Sequence, residues 1–113
     1  MSAKGDISMN VRLSQGAKIF ISQPINDRTD EEIINEQDAI RNKIKDKYED
    51  IELVNPFLTF APFRSRPMMI LGMSIEMLFG SDVAVFAKGW EKEKECQVEH
   101  IVCEKYGIKT IEL

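Results

Sequence analysis

Short runs of apolar and β-branched residues alternate along the chain with longer stretches whose apolar positions recur every three or four residues. Four runs have strand character: Lys18 to Ser22, Ile51 to Val54, Asp82 to Ala87 and Lys109 to Leu113. The segments between them have helical spacing, so the predicted order is β-α-β-α-β-α-β. Strands alternating with helices give a parallel sheet covered on both faces, because each crossover packs back in the right-handed sense. The expected class is therefore α/β, with four parallel strands in the order 2-1-3-4.

The first predicted helix runs from about Asp30 to Tyr48. Thr29 and Glu32 have capping-box spacing, Asp30, Glu31 and Glu32 suit the positive helix start, and Ile33, Gln37, Ile40, Ile44 and Tyr48 fall on one face. A second helix follows Pro67 and ends near Gly80, with Leu71, Ile75, Leu78 and Phe79 as its expected inward stripe. Met69, Met73 and Met77 recur on the other side, which suggests a homodimer interface; one wide core contact is the alternative. The third helix lies between Lys94 and Tyr106, with Val98, Ile101, Val102 and Lys105 inward and Gly107 as its stop. Residues 1–16 form an arm in which Ile7, Met9, Val11 and Leu13 alternate with polar residues, which suits either an added strand or an unstructured leader. Residues 55–67, NPFLTFAPFRSRP, make a connection of a length that is usually functional, carrying Phe57, Phe60, Phe63, Arg64 and Arg66.

Composition narrows the partners. At 113 residues the chain is read as one domain, 17–113, behind its arm. Fifteen basic residues against 19 acidic ones leave a net charge of -4, which disfavours a nucleic-acid backbone as partner. No apolar stretch approaches the ~18 residues of a membrane span. The start lacks the apolar segment of a signal peptide, and Cys96 and Cys103 are the only cysteines, so a reducing cytoplasmic setting is expected.

In an open parallel sheet, ligands bind beyond the strand carboxyl ends where the strand order reverses. Ser22 to Asn26, Lys88 to Trp90 and the start of the helix carrying Glu99 should converge there. Helical angles put Glu99 at the border of the inward arc, where it is either a partly desolvated nucleophile or base, or a structural carboxylate. Cys96, His100 and Cys103 share a helix face, but a structural zinc site needs a fourth Cys or His and the sequence has none. Seven helical residues separate the two thiols by about 10 Å, beyond disulfide reach. Neither a metal nor a cofactor is expected, since glycine-rich phosphate loops of the common spacings are absent too. Trp90 is either a core plug or a stacking wall, and Arg64 and Arg66 are either an anion clamp or plain surface charges.

The first strand and turn, KIFISQPIN, the helix start TDEEI and the closing run SDVAVFAKGWEKEKECQVEHIVCEKYGIKTIEL add a family likeness. Over Lys18 to Leu113 the chain resembles a small phage and prophage family of unknown function, which in turn resembles the nucleoside 2-deoxyribosyltransferase superfamily. That resemblance implies a flavodoxin-like, Rossmann-like three-layer fold and a catalytic glutamate eight residues before a glycine that precedes the last strand, the spacing of Glu99 and Gly107. It implies that Glu99 attacks the anomeric carbon, that Ser22, Gln23 and Pro24 border the sugar, and that Asp82 handles the base. Gly89, Trp90 and Glu93 complete the expected ligand-binding set. The sequence departs from the superfamily where an acidic residue or serine and then a glycine commonly stand, having Glu93 and Glu95 instead. Two added carboxylates oppose a 5′-phosphate, so a nucleoside is expected rather than a nucleotide, and they raise the pKa of Glu99. Two functions therefore stand at this stage: a nucleoside N-glycosidic hydrolase or deoxyribosyltransferase, and a non-catalytic nucleoside-binding or protein-interaction protein.

Overall fold

A computed structural model describes residues 13, 15–48, 50–57, 62 and 65–113. Within them lie β1 (Ala17–Ser22), α1 (Asp30–Lys45), β2 (Ile51–Val54), α2 (Pro67–Phe79), β3 (Val83–Phe86), a single 3-10 turn at Trp90–Lys92, α3 (Lys94–Tyr106) and β4 (Lys109–Glu112). The four strands form one parallel sheet in the order β2-β1-β3-β4, the expected α/β arrangement and one consistent with a flavodoxin-like fold. No helix among the described residues is long and apolar enough to cross a membrane.

Strand alternation sorts the core into two clusters. Ile19 and Ile21 of β1, Val83 and Val85 of β3, and Ile111 of β4 meet Ile40 and Ile44 of α1 on one face. Phe20, Ala84 and Phe86 point the other way, to Leu78 of α2 and Cys103 of α3. One helix covers the first face and two cover the second. This follows from the strand order: the β1 to β2 crossover runs in one direction across the sheet and the later two run in the other. Ser22 is two residues beyond Phe20, so the same alternation turns it toward α3.

The capping box forms at Thr29, whose Oγ1 accepts the Glu32 N–H at 3.1 Å while Glu32 Oε1 accepts the Thr29 N–H at 2.8 Å. The α1 helix ends at Lys45, not Tyr48, because the N–H groups of Lys47 and Tyr48 both turn back to the Ile44 carbonyl as the chain reverses toward β2. Tyr48 still packs on the first cluster, as does Leu13. Ile7, Met9 and Val11 of the arm, and Phe60, Phe63 and Arg64 of the long connection, lie outside the described residues.

Two helix faces differ from expectation. On α2 the buried residues are Ser74 and Leu78, whereas Phe79 is 64% exposed and lies edge-on to the Tyr106 ring. A helix that is apolar nearly all round offers no contrast from which its inward face can be read. Of the methionines, Met77 packs on the second cluster, while Met68 and Met73 are exposed. On α3 the buried residues are Cys96, Glu99 and Cys103, and Ile101 is 53% exposed. Val102 packs on the second cluster as expected, and the two thiols, which behave as small apolar groups and fit close against the sheet, take the inward place expected of Ile101.

Candidate functional site

The carboxyl ends of β1 and β2 open into a cavity of about 170 Å³. Its floor is Ile21, Gln23, Ile25 and Asn26, from the end of β1 and the turn after it. Asn55, Pro56 and Phe57 follow β2 on one side, and Ile70, Leu71 and Ser74 of α2 form a largely apolar wall. The opposite wall is the first half of α3 with Glu93 before it, bringing in Glu95, Cys96 and Glu99. The sequence placed the β1 and α3 sides here and marked residues 55–67 as a functional connection without assigning it to this edge, whereas the α2 side was missed. The signal was present: residues directly after a parallel strand must emerge at its carboxyl edge, and Ser74 is one of only two polar residues on α2.

Glu99 is the centre of this wall. It is only 6% exposed, and its Oε1 accepts a 2.6 Å hydrogen bond from the Ser22 hydroxyl. Burial pushes its carboxyl up to about 7, against the pull of the Ser22 hydrogen bond, and the charges of Glu95 and Glu93 push the same way. Near neutrality this group therefore exchanges a proton readily. Burial likewise pushes the neighbouring Cys96 thiol up to about 12, leaving it neutral and unreactive.

Glu93 has a different task. Its carboxylate is buried and accepts N–H groups from Ile25, at 3.0 and 3.1 Å, and from Asn26, at 3.3 Å. It thus ties the β1–α1 turn to the start of α3. Gln23 is equally committed: its Nε2 donates to the Ile33 carbonyl and to Glu36 Oε1, both at 2.8 Å, and its Oε1 accepts from Gln37 Nε2 at 2.9 Å. Although Gln23 touches the cavity, its amide faces α1. The Pro24 carbonyl accepts from Arg28 Nη1 at 2.9 Å, so this residue also anchors the turn.

Three predicted site residues stand elsewhere. Gly89 adopts φ +90°, a left-handed conformation suited to glycine, and a Cβ there would come within 3.8 Å of the Pro24 ring. Trp90 stacks on His100 with ring centres 4.1 Å apart and tilts against Phe86 at 5.3 Å, so it packs as a plug and does not line the cavity. Asp82 is the clearest correction. It is exposed just before β3, and its Oδ2 accepts the Lys18 N–H at 2.7 Å, which places it at the amino end of the sheet, away from Glu99. A residue that opens a parallel strand sits opposite the ligand edge.

The two cysteines are free and buried. His100 directs its two ring nitrogens to Glu104 at 3.2 Å and Glu112 at 2.9 Å. Among the described residues no group of three or more histidine, cysteine or acidic side chains is arranged to hold a metal ion.

Comparison of the chain with protein-family models, with curated proteins and with solved structures finds no match.

Proposed function

We propose that the protein takes a nucleoside-like small molecule into this cavity and cleaves or exchanges its N-glycosidic bond through Glu99. The observation that carries the reading is Glu99 itself: a buried carboxyl in the cavity wall, bonded to Ser22, that ionises near neutrality. Ionised, it can attack the anomeric carbon and form a glycosyl ester, which water or an acceptor base then resolves; dividing the exchange in this way makes two easier steps of one. The sequence resemblance to the nucleoside 2-deoxyribosyltransferase superfamily, by way of a phage and prophage family, supports the same assignment. Only acidic residues carry charge in the described wall, which favours a nucleoside over a nucleotide. In this reading the protein works in the cytoplasm, and the exposed Met68, Met73 and Phe79 of α2 contribute to a homodimer.

A second reading has its own support. Because Asp82 is remote and Glu93 is tied to backbone, the wall holds fewer free catalytic groups than the resemblance implies, as a non-catalytic nucleoside binder would. Incubating the purified protein with deoxynucleosides and an acceptor base, and following free base by chromatography, separates the two. Released or exchanged base that vanishes in Glu99→Ala establishes the glycosidic chemistry. Thermal stabilisation by a panel member without any turnover overturns it in favour of the binder.

A further inference from the structure

The glycosidic reaction proposed above needs two groups: a carboxylate to attack the sugar, and an acid to protonate the departing base. With Asp82 at the far end of the sheet, the second group must come from the cavity wall. Its titratable members among the described residues are Glu93, Glu95, Cys96 and Glu99; the sides contributed by β1, β2 and α2 add none. Glu93 spends both oxygens on the N–H groups of Ile25 and Asn26. The Cys96 thiol is too weak an acid. Glu95 remains. It stands one helical turn before Glu99, on the same side of α3. Its Oε1 is shut off from solvent and has no hydrogen-bond partner among the described residues, an expensive arrangement for an oxygen with no function.

We propose that Glu95 is the general acid and base of this site, paired with Glu99 as nucleophile. This assignment rests on the glycosidic reading of the cavity. Glu95 and Glu99 line the same wall one helical turn apart, so a proton carried by Glu95 leaves Glu99 free to attack. In the first half-reaction a Glu99 oxygen bonds to the anomeric carbon, the C–N pair leaves with the base, and the Glu95 proton passes to a ring nitrogen of that base. In the second, the Glu95 carboxylate takes a proton from water or from the acceptor base as its oxygen or nitrogen attacks the anomeric carbon. The ester bond breaks, and both glutamates return to their starting forms.

The test uses two substrates that differ in their need for a proton: 2′-deoxyinosine, and 4-nitrophenyl 2-deoxyriboside, whose leaving group departs as a stable anion. With deoxyinosine, Glu95→Gln should lower kcat by about 100-fold or more, the usual loss on removing a general acid. With the nitrophenyl glycoside, the first-turnover burst of nitrophenolate should stay within about threefold of wild type, because expelling that leaving group needs no proton. Glu99→Gln should abolish both. Wild-type protein supplies a check that needs no variant: the fall in kcat on the alkaline side should appear with deoxyinosine and be missing with the nitrophenyl glycoside. Equal losses on the two substrates in Glu95→Gln, or an alkaline limb common to both, overturn the role of Glu95 and leave Glu99 as nucleophile. Failure of wild-type protein to release either leaving group overturns the glycosidic reading, and this assignment with it.

Discussion

Each end of the sheet carries a carboxylate hydrogen-bonded to β1, and the two have little else in common. At the amino end Asp82 accepts the backbone N–H of Lys18 at 2.7 Å while facing solvent. At the carboxyl end Glu99 accepts the Ser22 hydroxyl at 2.6 Å in a buried wall, and its carboxyl is pushed up to about 7. Similar chemistry at similar distances gives an exposed strand anchor at one end and a buried carboxyl that ionises near neutrality at the other. The difference comes from desolvation: water stabilises an exposed carboxylate, whereas a buried one keeps its proton until neutrality. Crossover connections make the two ends unequal, since the turns after β1 and β2 and the first half of α3 gather only at the carboxyl edge.

The contrast can be broken most sharply by exchanging each acid for its amide. Glu99→Gln should reduce base release by at least about 10³-fold, the scale of losing a nucleophile, while Asp82→Asn stays within about twofold of wild type. Comparable losses in both variants would place the chemistry elsewhere.

Stability should divide the two ends next. The Glu99 carboxyl ionises near 4.5 when unfolded and near 7 when folded, so the folded state binds the extra proton between those values. Wild-type stability contributed by this group is therefore complete below about pH 4.5, falls as pH rises toward 7, and is flat above. The span corresponds to roughly 3 kcal/mol at most. Glu99→Gln, a neutral isostere able to accept the same hydroxyl, should thus melt several degrees above wild type at pH 8 and level with it near pH 4. Calorimetry across that range reads the gap, and a gap that does not widen with pH would remove the buried-acid description.

A finer test leaves both carboxylates in place. Ser22→Ala withdraws the hydroxyl that favours ionised Glu99, so the midpoint of the stability change should move up by roughly one pH unit. The smallest effect belongs to Asp82→Ala. Loss of one exposed acceptor for the Lys18 N–H should cost about 0.5 to 1 kcal/mol in urea denaturation, with no change in ligand affinity.

Much of the architecture was legible in the residue order. The four strands, the capped start of α1 and the stop at Gly107 rest on spacings of two to four residues, which set backbone conformation locally. Which face of α2 and α3 points inward was harder to read. Ser74 is buried although polar, and Ile101 is exposed although apolar, because shape against the neighbouring sheet outweighed hydropathy at those positions. The site was half visible. Ser22, Gln23, Glu93 and Glu99 were all expected at one edge, but only the folded chain assigns Gln23 to α1, Glu93 to the backbone of the β1–α1 turn, and Ser22 to Glu99.

The sequence by itself determined the α/β order, the parallel sheet and the edge at which side chains converge, because periodicity and right-handed crossovers follow from local geometry. Tertiary structure alone decided that Glu99 is desolvated beside Ser22, 77 residues away along the chain, and that Asp82 is not. Burial is a property of what surrounds a residue in space, and no local pattern records it.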